Sequence, residues 1–223
     1  MQPWEKIASA SAPDGALLEL RRRGAEYRIW AGGHDLMSTD DAGSSRALGE
    51  LGCEHVGSVK APRILVGGLG MGYTLRGALD STGAGAVVEV AELVQAVADW
   101  NRGELAALAG RPLDDPRSLL VLTDVRLHIR KARSLYDAIL LDVDNGPSAL
   151  AHSDNDGLYS HGGLQHAWRA LRPGGVLGVW SISDDTRFTK RLEQHGFEPE
   201  VHRVEGSRKG RGRHHMIWIA RRR

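Results

Sequence analysis

From Arg63 onward the chain carries short apolar runs at regular intervals: RILVGG, AVVEV, SLLVLTDV, YDAILLDV and GVLGVW. Continuous β-branched and leucine-rich runs of this length mark strands buried on both faces, as in a parallel sheet. Between them GYTLRGALD, AELVQAVADWN, RLHIRKARS and GLYSHGGLQHAWRALRPGG place apolar residues at helical spacing, and Pro173-Gly174-Gly175 closes the last. This alternation is a βαβ series, whose crossovers are right-handed. After a helix near Thr186 to His195, FEPEVHRV and HHMIWIA are separated by a loop too short for a crossover helix. The pattern therefore predicts a doubly wound α/β fold with a mostly parallel seven-stranded sheet and an antiparallel last strand at its edge.

Upstream the period changes. Residues 15–31, GALLELRRRGAEYRIWA, alternate apolar and polar positions around Gly24, the signature of an antiparallel hairpin that needs a body to pack on. GGHDLMSTDD reads as a turn-rich loop, and a helix from about Ala42 to His55 leads onward. The expected division is a β-hairpin appendage with its linking helix over 1–57 and a main domain over 58–223.

Composition narrows the classes. With 29 basic and 28 acidic side chains the net charge is +1, which gives no global field for nucleic acid or an anionic membrane. The only local basic stretches are Arg208, Lys209, Arg211 and Arg213, and the terminal Arg221 to Arg223; neither has an aromatic stacking platform beside it. One cysteine, Cys53, excludes an internal disulfide framework. The N-terminal MQPWEKIASASAPDG has neither a basic n-region nor an apolar core, so a cytoplasmic protein without a membrane partner is expected.

The candidate chemistry begins at Gly67-Gly68-Leu69-Gly70-Met71-Gly72, between the first buried strand and a helix. Glycines let the backbone turn sharply and approach a ligand. A dinucleotide fingerprint needs G-x-G-x-x-G, whereas Gly68, Gly70 and Gly72 give G-x-G-x-G. About 20 residues on, Glu89 is read as the end of the next strand, where a carboxylate can accept both hydroxyls of a ribose. Asp124, after the third strand, can accept from an adenine amino group or cap the helix that follows. Asp142 and Asp144 close the fourth strand at the carboxyl edge, where ligands of open α/β sheets gather. An amine attacking an electrophilic carbon must lose a proton, and Asp142 is the candidate base. Asp144, Asp154 and Asp156 would add negative field for a cationic substrate. The ten histidines form no tight metal-binding pattern, and of His214-His215 one is expected to face inward and one outward. Ser181 and Ser183 lack a nucleophile elbow.

In their order and spacing, RILVGGLGMGYTLR, AVVEVAELVQAVA, DDPRSLLVLTDVR, YDAILLDVDNGP and ALRPGGVLGVW resemble the spermidine synthase family and its diverged spermidine synthase-like members. The resemblance runs from about Arg28 to Trp180 and takes in the hairpin and LMSTDDAG. It implies a methyltransferase-like Rossmann variant and a homodimer. It also implies a nucleoside pocket built on Gly68, Gly70, Gly72, Glu89 and Asp124, with Asp142 as base and Asp144 and Asn145 toward the substrate. The implied reaction moves an aminopropyl group from decarboxylated S-adenosylmethionine to putrescine or another small amine, without a metal. The chain departs from the family at Gly70 or Met71, where an aspartate is usual; at Asn145, where the catalytic loop has a second aspartate; and at Ser44-Ser45, in place of a tyrosine-histidine pair. Two other readings share the fold: an S-adenosylmethionine-dependent methyltransferase acting on a small acceptor, and a non-catalytic nucleoside-binding relative.

Overall fold

The computed structural model describes residues 2–13, 15–32, 34–143, 146–147, 157–206 and 214–223. The chain begins with a four-stranded antiparallel meander of β1 (Glu5–Ser11), β2 (Leu17–Arg23), β3 (Glu26–Ala31) and β4 (His34–Ser38). The expected hairpin is β2–β3, turned at Gly24 with φ 61°. Two further strands flank it. In β1 the alternating small residues Ala8 and Ala10 lie opposite Leu20 and Leu18, a pattern too weakly apolar to mark a strand on its own. The stretch GGHDLMSTDD, expected as a loop, supplies β4, whose Met37 pairs with Ile29. Leu18, Leu20 and Ile29 on the inner face join one apolar cluster with Val66 and Val90 of the main sheet.

Helix α1 (Ala42–Glu54) follows within a residue of the expected bounds and crosses α2 (Tyr73–Asp80) closely. Glycine makes that crossing possible: a Cβ on Gly49 would lie 2.6 Å from the Ala78 backbone nitrogen. The crossing places the α1 residues Ser44 and Ser45, both buried, beside the carboxyl rim of the main sheet.

That sheet has seven strands, β5 (Arg63–Gly67), β6 (Val87–Glu92), β7 (Ser118–Leu122), β8 (Tyr136–Leu141), β9 (Leu171–Ser181), β10 (Phe197–Glu205) and β11 (His214–Arg222), in the order β10-β11-β9-β8-β5-β6-β7. The linking helices are α3 (Gln95–Arg102), α4 (Val125–Lys131), α5 (His161–Ala170) and α6 (Thr186–Gln194). β5 to β9 run parallel to their neighbours, and β11 is antiparallel to β9.

One expectation is corrected. The antiparallel last strand is not at the edge: β11 lies between β9 and β10. Its run Ile217-Trp218-Ile219-Ala220 is buried, whereas β10 alternates into Glu198, Glu200 and Arg203. The apolar strand takes the interior and the charged one faces solvent, as edge strands require. His215 is buried and His214 exposed, following the alternation. Among the described residues no helix is long and apolar enough to cross a membrane.

The α1–α2 contact yields a stability prediction. Gly49→Ala forces backbone apart at a site with no flexible neighbour, so a loss of about 2 kcal/mol or more is expected. Urea denaturation of the variant against the parent measures it.

Candidate functional site

The strand order reverses between β5 and β8, the switch point where open α/β sheets form their ligand crevice. A cavity of about 410 Å³ lies there. Its floor is the glycine turn after β5, where Gly68, Gly70 and Gly72 have φ of 86°, 51° and 82°. A Cβ on Gly68 would lie 2.5 Å from the Asp142 carbonyl oxygen, so the turn and the end of β8 touch backbone to backbone. The roof comes from the N-terminal sheet: Leu18, Ile29, Leu36 and Met37 line the cavity, and the Met37 thioether fills the space that a side chain at Gly70 would need.

The charged lining is acidic. Glu92, Asp124 and Asp142 face Arg126 alone. Glu92 is buried at the end of β6, and its carboxylate accepts from Leu69 N at 3.0 Å and Val94 N at 2.8 Å. Burial pushes its carboxyl above the usual range, against the pull of the backbone N–H groups of Val94, Leu69, Leu93 and Gly70. The turn is also tied from α3, where Asn101 Nδ2 donates to the Gly70 carbonyl at 2.7 Å.

Asp124 is the N-cap of α4: it accepts from Arg126 N at 2.8 Å, and the Arg126 guanidinium sits 2.7 Å from its Oδ2. Hydrogen bonding from Arg126 holds its carboxyl below the ordinary range despite partial burial. The capping alternative is thus realised, on a residue that also lines the cavity.

Asp142 follows β8, and its backbone N–H donates to Gly67 O at 2.9 Å. Burial pushes its carboxyl upward; Thr74 and Ser45 hydrogen bonds oppose this, and the charge of Asp41 adds to it. Thr74 Oγ1 lies within hydrogen-bond distance of both Ser45 O and Asp142 Oδ2, and one hydroxyl proton serves only one acceptor at a time.

Glu89 is corrected. It sits three residues before the end of β6, opposite Leu65, and is not in the cavity lining. Its carboxylate accepts from Tyr136 OH at 2.8 Å, lies 3.0 Å from His128 Nε2 and is ion-paired to Arg63. These groups come from the first residues of β5 and β8 and from α4, below the rim. Strand pairing explains the misplacement: β5 ends at Gly67 opposite Ala91, so β6 reaches the rim only at Glu92. The second acid in VVEVAE was the available signal. Asp144, Asn145, Asp154 and Asp156 lie outside the described residues, as do Arg208, Lys209, Arg211 and Arg213. Sequence reasoning missed Thr74 and the apolar roof and marked Ser45 only as a departure from the family; the α1–α2 crossing and the N-terminal sheet bring them to the site.

No family model matches the chain. A segment of 130 residues, 55% of this chain, is 33% identical to polyamine aminopropyltransferase 2 of Pseudomonas aeruginosa and spans 35% of that protein. The spermidine synthase of Thermotoga maritima superposes over 98% of this chain and 73% of its own, with a TM-score of 0.74 at 18% identity. A spermidine synthase in complex with the transition-state analogue AdoDATO covers 98% of this chain and 72% of its own, with a TM-score of 0.71 at 18% identity. The chain has the fold of these spermidine synthases. A probable spermidine synthase of Corynebacterium glutamicum has the fold too, with a TM-score of 0.58 at 19% identity over 96% of this chain and 79% of its own. At these identities the solved structures establish the fold, and the matched segment spans about a third of the curated relative. In this fold the cavity lies on the crevice side of the sheet, with the Glu89 cluster beneath it.

That cluster makes a test of the correction. Burial raises the Glu89 carboxyl, but the hydrogen bonds from His128, Tyr136 and Arg63 outweigh it and leave it below its ordinary value. A carboxyl depressed in the folded state adds stability above its unfolded pKa, about 4.3, and loses it as pH falls through the folded value. Glu89→Gln is therefore expected to cost about 1–3 kcal/mol at neutral pH. The difference from the parent should shrink in denaturation midpoints taken at progressively lower pH.

Proposed function

We propose that the chain is a transferase that moves the aminopropyl group of decarboxylated S-adenosylmethionine to a small amine, such as putrescine. The carrying observation is the charge of the cavity wall. The cavity's only cation among the described residues, Arg126, is engaged by Asp124. The Leu69 amide of the glycine turn is occupied by Glu92. A carboxylated donor needs a cation or free N–H groups for its carboxylate, and an anion left unpaired among these acids is heavily penalised. The decarboxylated donor presents only a sulfonium and an ammonium. An acidic floor under an apolar roof fits it, and fits the methyl-donor alternative poorly.

Glu92, in place of Glu89, is the carboxylate we assign to the ribose, with Gly68 and Gly70 giving the backbone approach and Gly72 the turn into α2. Asp124 keeps its assignment toward the purine amino group through the oxygen surface not covered by Arg126. In the transfer, the acceptor nitrogen forms a bond to the carbon beside the sulfonium. The carbon–sulfur bond breaks, its electron pair neutralises the sulfur, and the thioether nucleoside leaves. The proton released from the nitrogen passes to Asp142. An elevated Asp142 pKa narrows the gap to the amine and favours that transfer. Asp144 and Asn145 are assigned to the acceptor side as before. The curated relative's name and the fold of the spermidine synthases support the reading.

Isothermal titration with the two donors tests it directly. The decarboxylated form is expected to bind at least about tenfold tighter, a difference of about 1.4 kcal/mol; equal affinity, or preference for the carboxylated form, sinks the proposal. In the same assay Glu92→Gln should weaken donor binding by about tenfold or more, while Glu89→Gln, if folded, should stay within about twofold.

Asp142→Asn should lower kcat by about 10²–10⁴-fold with donor affinity retained. Because the base must be ionised, kcat of the parent should rise with pH through a value above the ordinary aspartate pKa of about 3.9. Turnover unaffected by Asp142→Asn would move the base elsewhere.

A further inference from the structure

A second cavity, of about 230 Å³, opens between α4 and α5. Asp124, Arg126, Gly157 and Leu158 line both cavities, so the two share a wall at the end of β7. The linings differ in charge. Among the described residues, Arg126, Arg130 and His166 face the second cavity against a single acid, Asp124, which is already the cap of α4 and a partner of Arg126. Arg130 is exposed, and its recorded hydrogen bond runs through its backbone carbonyl, to Arg133. Its guanidinium has no carboxylate partner among the described residues. His166 Nδ1 is buried and without a hydrogen-bond partner among them. A buried ring nitrogen left unpaired is costly, and it is the kind of exception that calls for a ligand or an ordered water.

The remaining contributors have the same sign. Gly162 and Gly163, in the first turn of α5, reach the cavity without side chains, on the positive end of a ten-residue helix. Burial lowers the His166 pKa, and the charges of Arg169, Arg133 and Arg130 lower it further, so the ring sits in a cationic surround. The acids of the transfer site lie on the other side of the Asp124–Arg126 pair.

We propose that this second cavity is a seat for a small oxyanion of the phosphate or carboxylate type, held by the Arg126 and Arg130 guanidiniums and by His166 Nδ1. Three consequences follow from the geometry. An anion supplies the missing partner of Nδ1. It stabilises the charged imidazole, so its binding tightens as pH falls and the His166 pKa rises with occupancy. Because Arg126 faces both cavities, an anion also competes with Asp124 for the guanidinium, which couples the seat to whatever lies against Asp124.

Inorganic phosphate is the probe, titrated into the full chain at constant ionic strength against chloride and followed by ³¹P line width and by the His166 ring proton shifts. Saturable phosphate binding and a rise in the His166 pKa are expected. Arg130→Gln and His166→Gln should each weaken phosphate by about tenfold or more while keeping the parent's thermal midpoint in chloride. Repeating the titration with saturating 5′-methylthioadenosine identifies the source. Joint binding assigns the seat to a free ion; mutual exclusion assigns it to an anionic group carried by the occupant of the larger cavity. A phosphate response no larger than that of chloride overturns the seat, as does a folded double variant that binds phosphate like the parent. Because no turnover is measured, these results are independent of the proposed transfer.

Discussion

The Glu92 carboxylate closing the glycine turn is the interaction on which the rest of the site depends. A carboxylate buried this deeply is tolerated only if hydrogen bonds replace its water, and the backbone N–H groups of Leu69 and Val94 supply them. The same bonds join the turn after β5 to the end of β6 and so hold the crevice open at a fixed width. They also set its sign. A turn whose amides are free invites an anion; a turn that already holds one of the protein's own carboxylates presents a surface for hydroxyls and cations. That single substitution of partners separates this floor from the phosphate cradle of a dinucleotide site built on the same βαβ frame.

Above that floor the roof belongs to a separate sheet. Leu18, Ile29, Leu36 and Met37 have no place in the βαβ series, yet they form the apolar side of the cavity. The contact of Met37 with Gly70 is mutual: the glycine gives the thioether its space, and the thioether keeps water from the turn. Behind the wall, α1 reaches the rim because Gly49 lets it press onto α2, and Ser45 and Thr74 from these helices take part in the hydrogen bonding around Asp142. The acidity of the site is therefore shaped by helix packing as much as by the strand that carries the acid.

Much of this was legible in the sequence, for a physical reason. Strands buried on both faces must be continuously apolar, so β5, β6, β8 and β9 stand out as runs, as does the edge strand β7 although Leu119 and Leu122 are exposed, and the helices between them show the complementary spacing. Asp142 could be placed at the cavity because Ala138 to Leu141 run apolar to the last residue of β8, so the strand's end is unambiguous. Glu89 was misplaced because β6 contains an internal acid neutralised from below by Arg63, His128 and Tyr136, partners 26 to 47 residues distant in sequence. Periodicity carries no sign of such partners, nor of the register that sets Gly67 opposite Ala91. β1 and β4 were hidden by small and polar residues whose only strand signal is the neighbour they pair with. The order of β10 and β11 did carry a sequence signal: the continuous apolar run of β11 marks the inner strand, and the charged alternation of β10 the outer one.

The position of β11 has a consequence for how the molecule is made. Strand β10 is synthesised first, yet it pairs only with β11, which in turn fills the gap beside β9. Until residues 214–222 leave the ribosome, β9 keeps a bare apolar edge and β10 has no sheet to join. A core of β5 to β9 alone is therefore unsealed along β9, an edge open to pairing with another copy. β11 is the strand that closes that edge, and β10 is held to the sheet through β11 alone.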